Sequence, residues 1–196
     1  INQIRENAML VIADMFKELN QLLPLHIGLF DDEYEPRAFG DNFQKAGTST
    51  ILIEAGGYKD DPEKQQIRKY YFASILSGLI SIASKNYENQ KTENYFAIPK
   101  NNKQIFHVMI NNLILNNIKV SVGINYDECP NTDGMSTFKS YSIQDIGDLS
   151  FCDAYEVYDA NNCELKGDIV FNKAANFELL MEKQIILAFK DGYLLT

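Results

Sequence analysis

From Ile4 the apolar residues Ala8, Val11, Ile12, Met15, Phe16, Leu19 and Leu23 recur at steps of three and four. That spacing predicts a helix with one stripe turned to a core and Pro24 at its end. The segment from Asp31 to Asp41 mixes acids, aromatics, Pro and Gly with neither a helical nor a strand period, and reads as an ordered loop. Thr50-Ile51-Leu52-Ile53-Glu54-Ala55 is short, β-prone and almost continuously apolar. It predicts a strand buried on both faces of a mainly parallel sheet, stopped by Gly56-Gly57. Asp61 offers a helix cap, Pro62 the favoured first position and Glu63 a first-turn acid. They open a helix running to about Tyr87, with Ile67, Tyr71, Ile75, Leu79 and Ile82 on its core stripe.

Glu88 to Lys103 interrupts this pattern and reads as a linker, with a boundary near Asn101. Beyond it Ile105, Val108, Met109 and Leu113 suggest a short helix, and Lys119-Val120-Ser121-Val122 alternates as a strand does. Gln184 to Phe189 and Tyr193 to Leu195 read as two strands around an Asp191-Gly192 turn. The expected architecture is therefore α/β over residues 1–100, part of a mainly parallel sheet with flanking helices. A small β-rich α+β domain over 101–196 follows.

Length and charge narrow the function classes. A chain of 196 residues can bury about 70% of its unfolded surface and needs no disulfide staple. A net charge of −9 without a dense Lys/Arg cluster argues against nucleic-acid binding. The longest apolar approach, Tyr70 to Ala83, falls short of a membrane span. Cys129, Cys152 and Cys163 are too widely spaced for a redox or zinc motif. His26 and His107, the only histidines, sit in no metal-ligand spacing. The chain opens at Ile1 within a helical pattern, without a leader, which reads as a piece of something longer.

Chemistry concentrates at Glu54, at the carboxyl end of the expected buried strand. Ligands in open α/β sheets bind there, and an acid held at low dielectric acquires the raised pKa that general acid–base work needs. A buried Glu satisfied by a neighbouring cation is the alternative reading. In the second half, Tyr141, Tyr155 and Tyr158 with Asp145, Asp148, Asp153 and Glu156 admit either a ligand face or a solvated acidic surface. Asp127, Glu128, Asp133 and Asp148 lack the spacing of a calcium loop.

The stretch Arg37 to Phe43, the run Gly47 to Tyr58 and Asp61-Pro62-Glu63-Lys64-Gln65 with its helix resemble the C-terminal part of the zinc carboxypeptidases, most of all their exported bacterial branch. The most specific part is Thr48-Ser49-Thr50-Ile51-Leu52-Ile53-Glu54-Ala55-Gly56-Gly57, and the resemblance covers about residues 1–86. It implies a metallocarboxypeptidase acting on peptides, with Glu54 as general base for a zinc-bound water. It implies a substrate-contacting Tyr on a loop about twenty residues upstream, a place that Tyr34 matches by spacing. Arg37 in the same loop could meet a substrate carboxylate, or could hold the loop by pairing with Asp41 or a helix end. The family's zinc ligands, a His-x-x-Glu pair and a second His, lie N-terminal to this segment and are not in the chain. Zinc is therefore expected only in the intact protein, the metal residues here are none, and the chain alone is expected to be inactive. The missing N-terminal part or a second chain would complete it. A periplasmic or extracellular location follows from the resemblance. The rival reading is a non-catalytic binding module on a degenerate peptidase scaffold.

Overall fold

The structure, a computed structural model, describes residues 2–31, 33–102 and 104–195. Ile1 at the opening, Asp32 of the expected loop and Lys103 of the expected linker lie outside them. The chain divides into two compact units, Ile1–Asn102 and Lys103–Thr196.

The first unit is helical. Helix α1 (Gln3–Leu19) starts at Asn2, whose side chain accepts the Arg5 N–H at 3.0 Å. Short α2 (Phe39–Lys45), long α3 (Gln65–Ser84), a 3₁₀ turn (Asn86–Asn89) and α4 (Thr92–Phe96) follow. The apolar stripe of α1 places Val11, Met15 and Leu19 in a small core with Ile51, Ile53 and Ala73 packed around it. Gly78 lets α3 come close to α1 there, since a Cβ at that position would stand 3.0 Å from Met15 Sδ. The expected linker contains the 3₁₀ turn and α4.

Asp61 caps α3 from a distance. The chain turns through Lys64, held at φ 57°, so the helix begins at Gln65 and not at Pro62. The Asp61 carboxylate then accepts the N–H groups of Gln65, Gln66 and Ile67 at 2.8, 2.9 and 2.9 Å. Burial pushes this carboxyl up, but the three amides, with the Lys64 charge, outweigh it and hold it below the usual aspartate range. A lowered folded-state value means stability that is present above the unfolded value, about 3.9, and lost as the pH falls through the folded one. Asp61→Asn is therefore expected to lower the melting temperature of the far-ultraviolet helix signal near neutral pH, by about 4–8 °C. The gap between variant and parent should close in acid, and a gap independent of pH would contradict the assignment.

Both sheets lie in the second unit. The first has the order β3-β2-β1-β4, built from β1 (Ile105–Leu115), β2 (Ile118–Pro130), β3 (Thr137–Gly147) and β4 (Asp153–Asp159). The β1–β2 and β2–β3 pairs are antiparallel and the β1–β4 pair is parallel. The second sheet is an antiparallel meander of β5 (Glu164–Asp168), β6 (Asn176–Met181), β7 (Gln184–Lys190) and β8 (Tyr193–Leu194). Asp191 and Gly192, at φ 50° and 85°, make the turn between β7 and β8, the pair of positive values that a tight hairpin needs. Ile110, Val122, Ile124 and Ile143 of the first sheet share one core with Phe177, Leu179 and Leu187 of the second. The outer edge of β3 is hydrogen-bonded by residues 172–175 and Gly192, which removes an open edge.

These observations correct the expected fold. Among the described residues there is no mainly parallel sheet with flanking helices; the two four-stranded sheets are almost wholly antiparallel and share one core in the second unit. The described part of that unit has no helix, and the helix expected near Ile105–Leu113 is β1. Thr50–Ala55 is not a strand buried on both faces: it has no regular secondary structure and pairs with no strand among the described residues, and Leu52 is 69% exposed. Among the described residues no helix is long and apolar enough to cross a membrane.

Candidate functional site

The segment that carries Glu54 is held by side chains in place of a ladder. Ser49 Oγ donates to the Ile4 carbonyl at 2.8 Å, Tyr71 Oη to the Ile53 carbonyl at 3.3 Å and Lys64 Nζ to the Gly56 carbonyl at 3.4 Å. Among the described residues, no backbone N–H from Ile51 to Ala55 donates to another backbone carbonyl. Ile51 and Ile53 turn toward the α1 core, so the alternate positions Leu52 and Glu54 face outward. Glu54 is exposed, and the low-dielectric site expected for it is absent here. It has no hydrogen-bond or ion-pair partner among the described residues. Gly56 follows with open space where a Cβ would stand, so a ligand backbone can approach.

Tyr34 and Arg37 lie on the preceding loop. Arg37 donates from Nε and Nη2 to the two carboxylate oxygens of Glu35, both at 2.8 Å. This fork-to-fork pair holds Glu35 below the usual carboxylate range and raises Arg37. The holding role is therefore served by Glu35, while Asp41 accepts the Glu35 backbone N–H at 2.9 Å. Tyr34 is exposed, and its hydroxyl donates to Asn42 Oδ1 at 3.4 Å. The α2 turn approaches the Glu54 segment where a Cβ on Gly40 would stand 3.3 Å from Thr50 Cγ2. No hydrogen bond or ion pair joins Tyr34 or Arg37 to Glu54 among the described residues. His26 is exposed and lies against Tyr58, with ring centroids 5.3 Å apart.

Among the described residues no group of three His, Cys, Asp or Glu side chains is placed to hold a metal ion. The side chains here do not fit the zinc that the resemblance implies. Cys129, Cys152 and Cys163 are free thiols. Burial, together with Asp145 and Asp153, pushes the Cys152 thiol up, which makes it a poor nucleophile.

The second unit contains a cleft that the sequence reading missed. It encloses about 410 Å³ and is lined by His107, Asn125, Tyr126, Asp127, Ser142 and Gln144. Two departures from regular pairing shape it. The β1–β2 register ends at Val108↔Ile124; just beyond, the His107 N–H donates to Asn125 Oδ1 at 2.9 Å and the Tyr126 N–H to His107 Nδ1 at 3.3 Å. Side chains thus replace ladder bonds between the strands. On the far side of β2, Gln144 is the extra residue of a bulge between Ile143 and Asp145, a device that re-aims side chains beside binding sites. Gln144 Nε2 donates to Ser142 Oγ at 2.9 Å. The His107 ring lies against Tyr126, tilted by 32° with centroids 3.8 Å apart, and Lys139 Nζ lies 4.2 Å from the Tyr126 centroid. The signal that could have found the cleft was Asn125 and Asp127 at strand spacing, but His107 opposite them was hidden by the helical reading of β1.

No protein family, curated protein or solved structure matches this chain.

Proposed function

We propose that the first unit is the Glu54-bearing part of a metallocarboxypeptidase-like hydrolase whose metal ligands and remaining catalytic groups lie in other polypeptide. The observation that carries this reading is the Glu54 segment itself: an apolar stretch whose N–H groups from Ile51 to Ala55 make no backbone bond among the described residues, with one covered face, ending in an exposed carboxylate and two glycines. Such a segment is built to be paired and covered. Helix α3 supports the same reading. It has no charged residue from Tyr70 to Ser84, yet Phe72 is 67% and Leu79 60% exposed, and large apolar side chains grouped on one helix surface suit contact with further polypeptide.

In the completed site Glu54 takes a proton from the attacking water. The water oxygen bonds to the scissile carbonyl carbon, and Glu54 passes the proton to the leaving amine as the peptide bond breaks. Tyr34, on the loop beside the segment, contacts the substrate; Arg37 reaches a substrate carboxylate only by leaving Glu35.

The test is mass spectrometry of peptides incubated with the protein from its natural source, together with whatever polypeptide accompanies it. Loss of single C-terminal residues by that assembly, and none by the chain alone, is the expected result. Intact peptides with both preparations would favour the binding-module reading.

A further inference from the structure

The cleft in the second unit offers fixed hydrogen-bonding groups and little else, and that restricts what it can hold. Asn125 is oriented by its own fold: Oδ1 accepts the His107 N–H at 2.9 Å and faces His107 Nδ1 at 3.0 Å. Its Nδ2 is left with no partner among the described residues, as two pre-aimed donors. Ser142 Oγ accepts from Gln144 at 2.9 Å, which leaves the hydroxyl proton to donate. Asp127, two residues along β2 from Asn125, is exposed and has no hydrogen-bond or ion-pair partner among the described residues. The site therefore presents an acceptor pair beside a row of donors.

We infer that the cleft lined by His107, Asn125, Tyr126, Asp127, Ser142 and Gln144 binds a neutral saccharide. A hydroxyl group both donates and accepts. Neighbouring hydroxyls on a pyranose are matched by a carboxylate that accepts from one and a carboxamide that donates to the next. Asp127 and Asn125 offer that combination, and Ser142 adds a further donor. An anion is disfavoured: Lys139 Nζ sits over the Tyr126 ring at 4.2 Å and is not among the residues that line the cleft, Asp127 lines it, and the chain carries a net −9. An apolar ligand is disfavoured because it would strip water from Asp127 and Asn125 without replacing their hydrogen bonds. The volume, about 410 Å³, is within the range of small-ligand sites. This inference does not depend on the hydrolase reading of the first unit.

The experiment is amide-resolved NMR of the full chain titrated with methyl glucoside, methyl galactoside, methyl mannoside, N-acetylglucosamine, maltose, cellobiose and chitobiose, beside N-acetyl-lysinamide as a cationic probe. At least one saccharide is expected to shift the His107, Asn125, Tyr126 and Ser142 amides saturably. Asp127→Asn should weaken that binding by about tenfold or more, since it replaces a charge-assisted acceptor at an exposed position. Ser142→Ala is a second variant at which the backbone pairing is retained. No saccharide response up to tens of millimolar, a response only to N-acetyl-lysinamide, or binding untouched by both variants would each overturn the inference.

Discussion

In the hydrolase proposed above, Glu54→Gln is expected to lower kcat by about 10²–10⁴-fold, the contribution of a positioned general base. Gln keeps the size of Glu but cannot take a proton from the attacking water. The Michaelis constant should move little, because Glu54 makes no bond that holds its segment in place and the anchors are Ser49, Lys64 and Tyr71. That split separates a chemical role from a structural one. Steady-state kinetics of parent and variant in the same natural assembly checks it. Equal turnover would remove Glu54 from the chemistry.

Leu179→Ala is expected to cost the second unit about 3–5 kcal/mol, which lowers its melting point by about 12 °C or more. Leu179 is fully buried, on β6 within the core shared by both sheets. Strands on either side of it are fixed by their own ladders, so the vacated volume cannot close. Ile185 on the neighbouring β7 is 47% exposed, and Ile185→Ala should cost about 1 kcal/mol or less. Calorimetry alongside the far-ultraviolet helix signal assigns the transitions, because the described helices all lie in the first unit. A comparable cost for both variants would contradict a single shared core.

What the sequence revealed and what it concealed follow from local physics. The Asp191-Gly192 turn was legible because few residue pairs accept two positive φ values. Asp61 was legible as a helix cap; the turn at Lys64 that moves the helix start was not, since Lys carries no signal for a left-handed conformation. Strand β1 was misread for a specific reason. The irregularity between Ile110 and Leu113, with Asn112 at φ 61°, shifts the buried phase. Ile105, Val108, Met109 and Leu113, on which the helical reading rested, then fall at steps of three and four from one another. Thr50–Ala55 was misread for the opposite reason: its apolar run has the composition of a doubly covered strand, and only one face is covered among the described residues. Periodicity reports what a segment is suited to touch, and cannot report which polypeptide supplies the contact.

The site residues divide the same way. Arg37 was read as meeting a substrate carboxylate or as pairing with Asp41 or a helix end; in the structure it makes a bidentate bond to Glu35, two residues back, which neither reading named. The His107–Asn125 exchange depends on two strands meeting, eighteen residues apart in sequence, and no local pattern announces it.

The central claim is that the Glu54 segment is one half of a site completed by further polypeptide. Hydrogen exchange at the Ile51, Leu52 and Ile53 amides tests it most directly, compared between the chain alone and the protein with its natural accompaniment. Fast exchange is expected in the chain alone, where these amides make no backbone bonds among the described residues, and strong protection in the assembly. Equally fast exchange in both would contradict it.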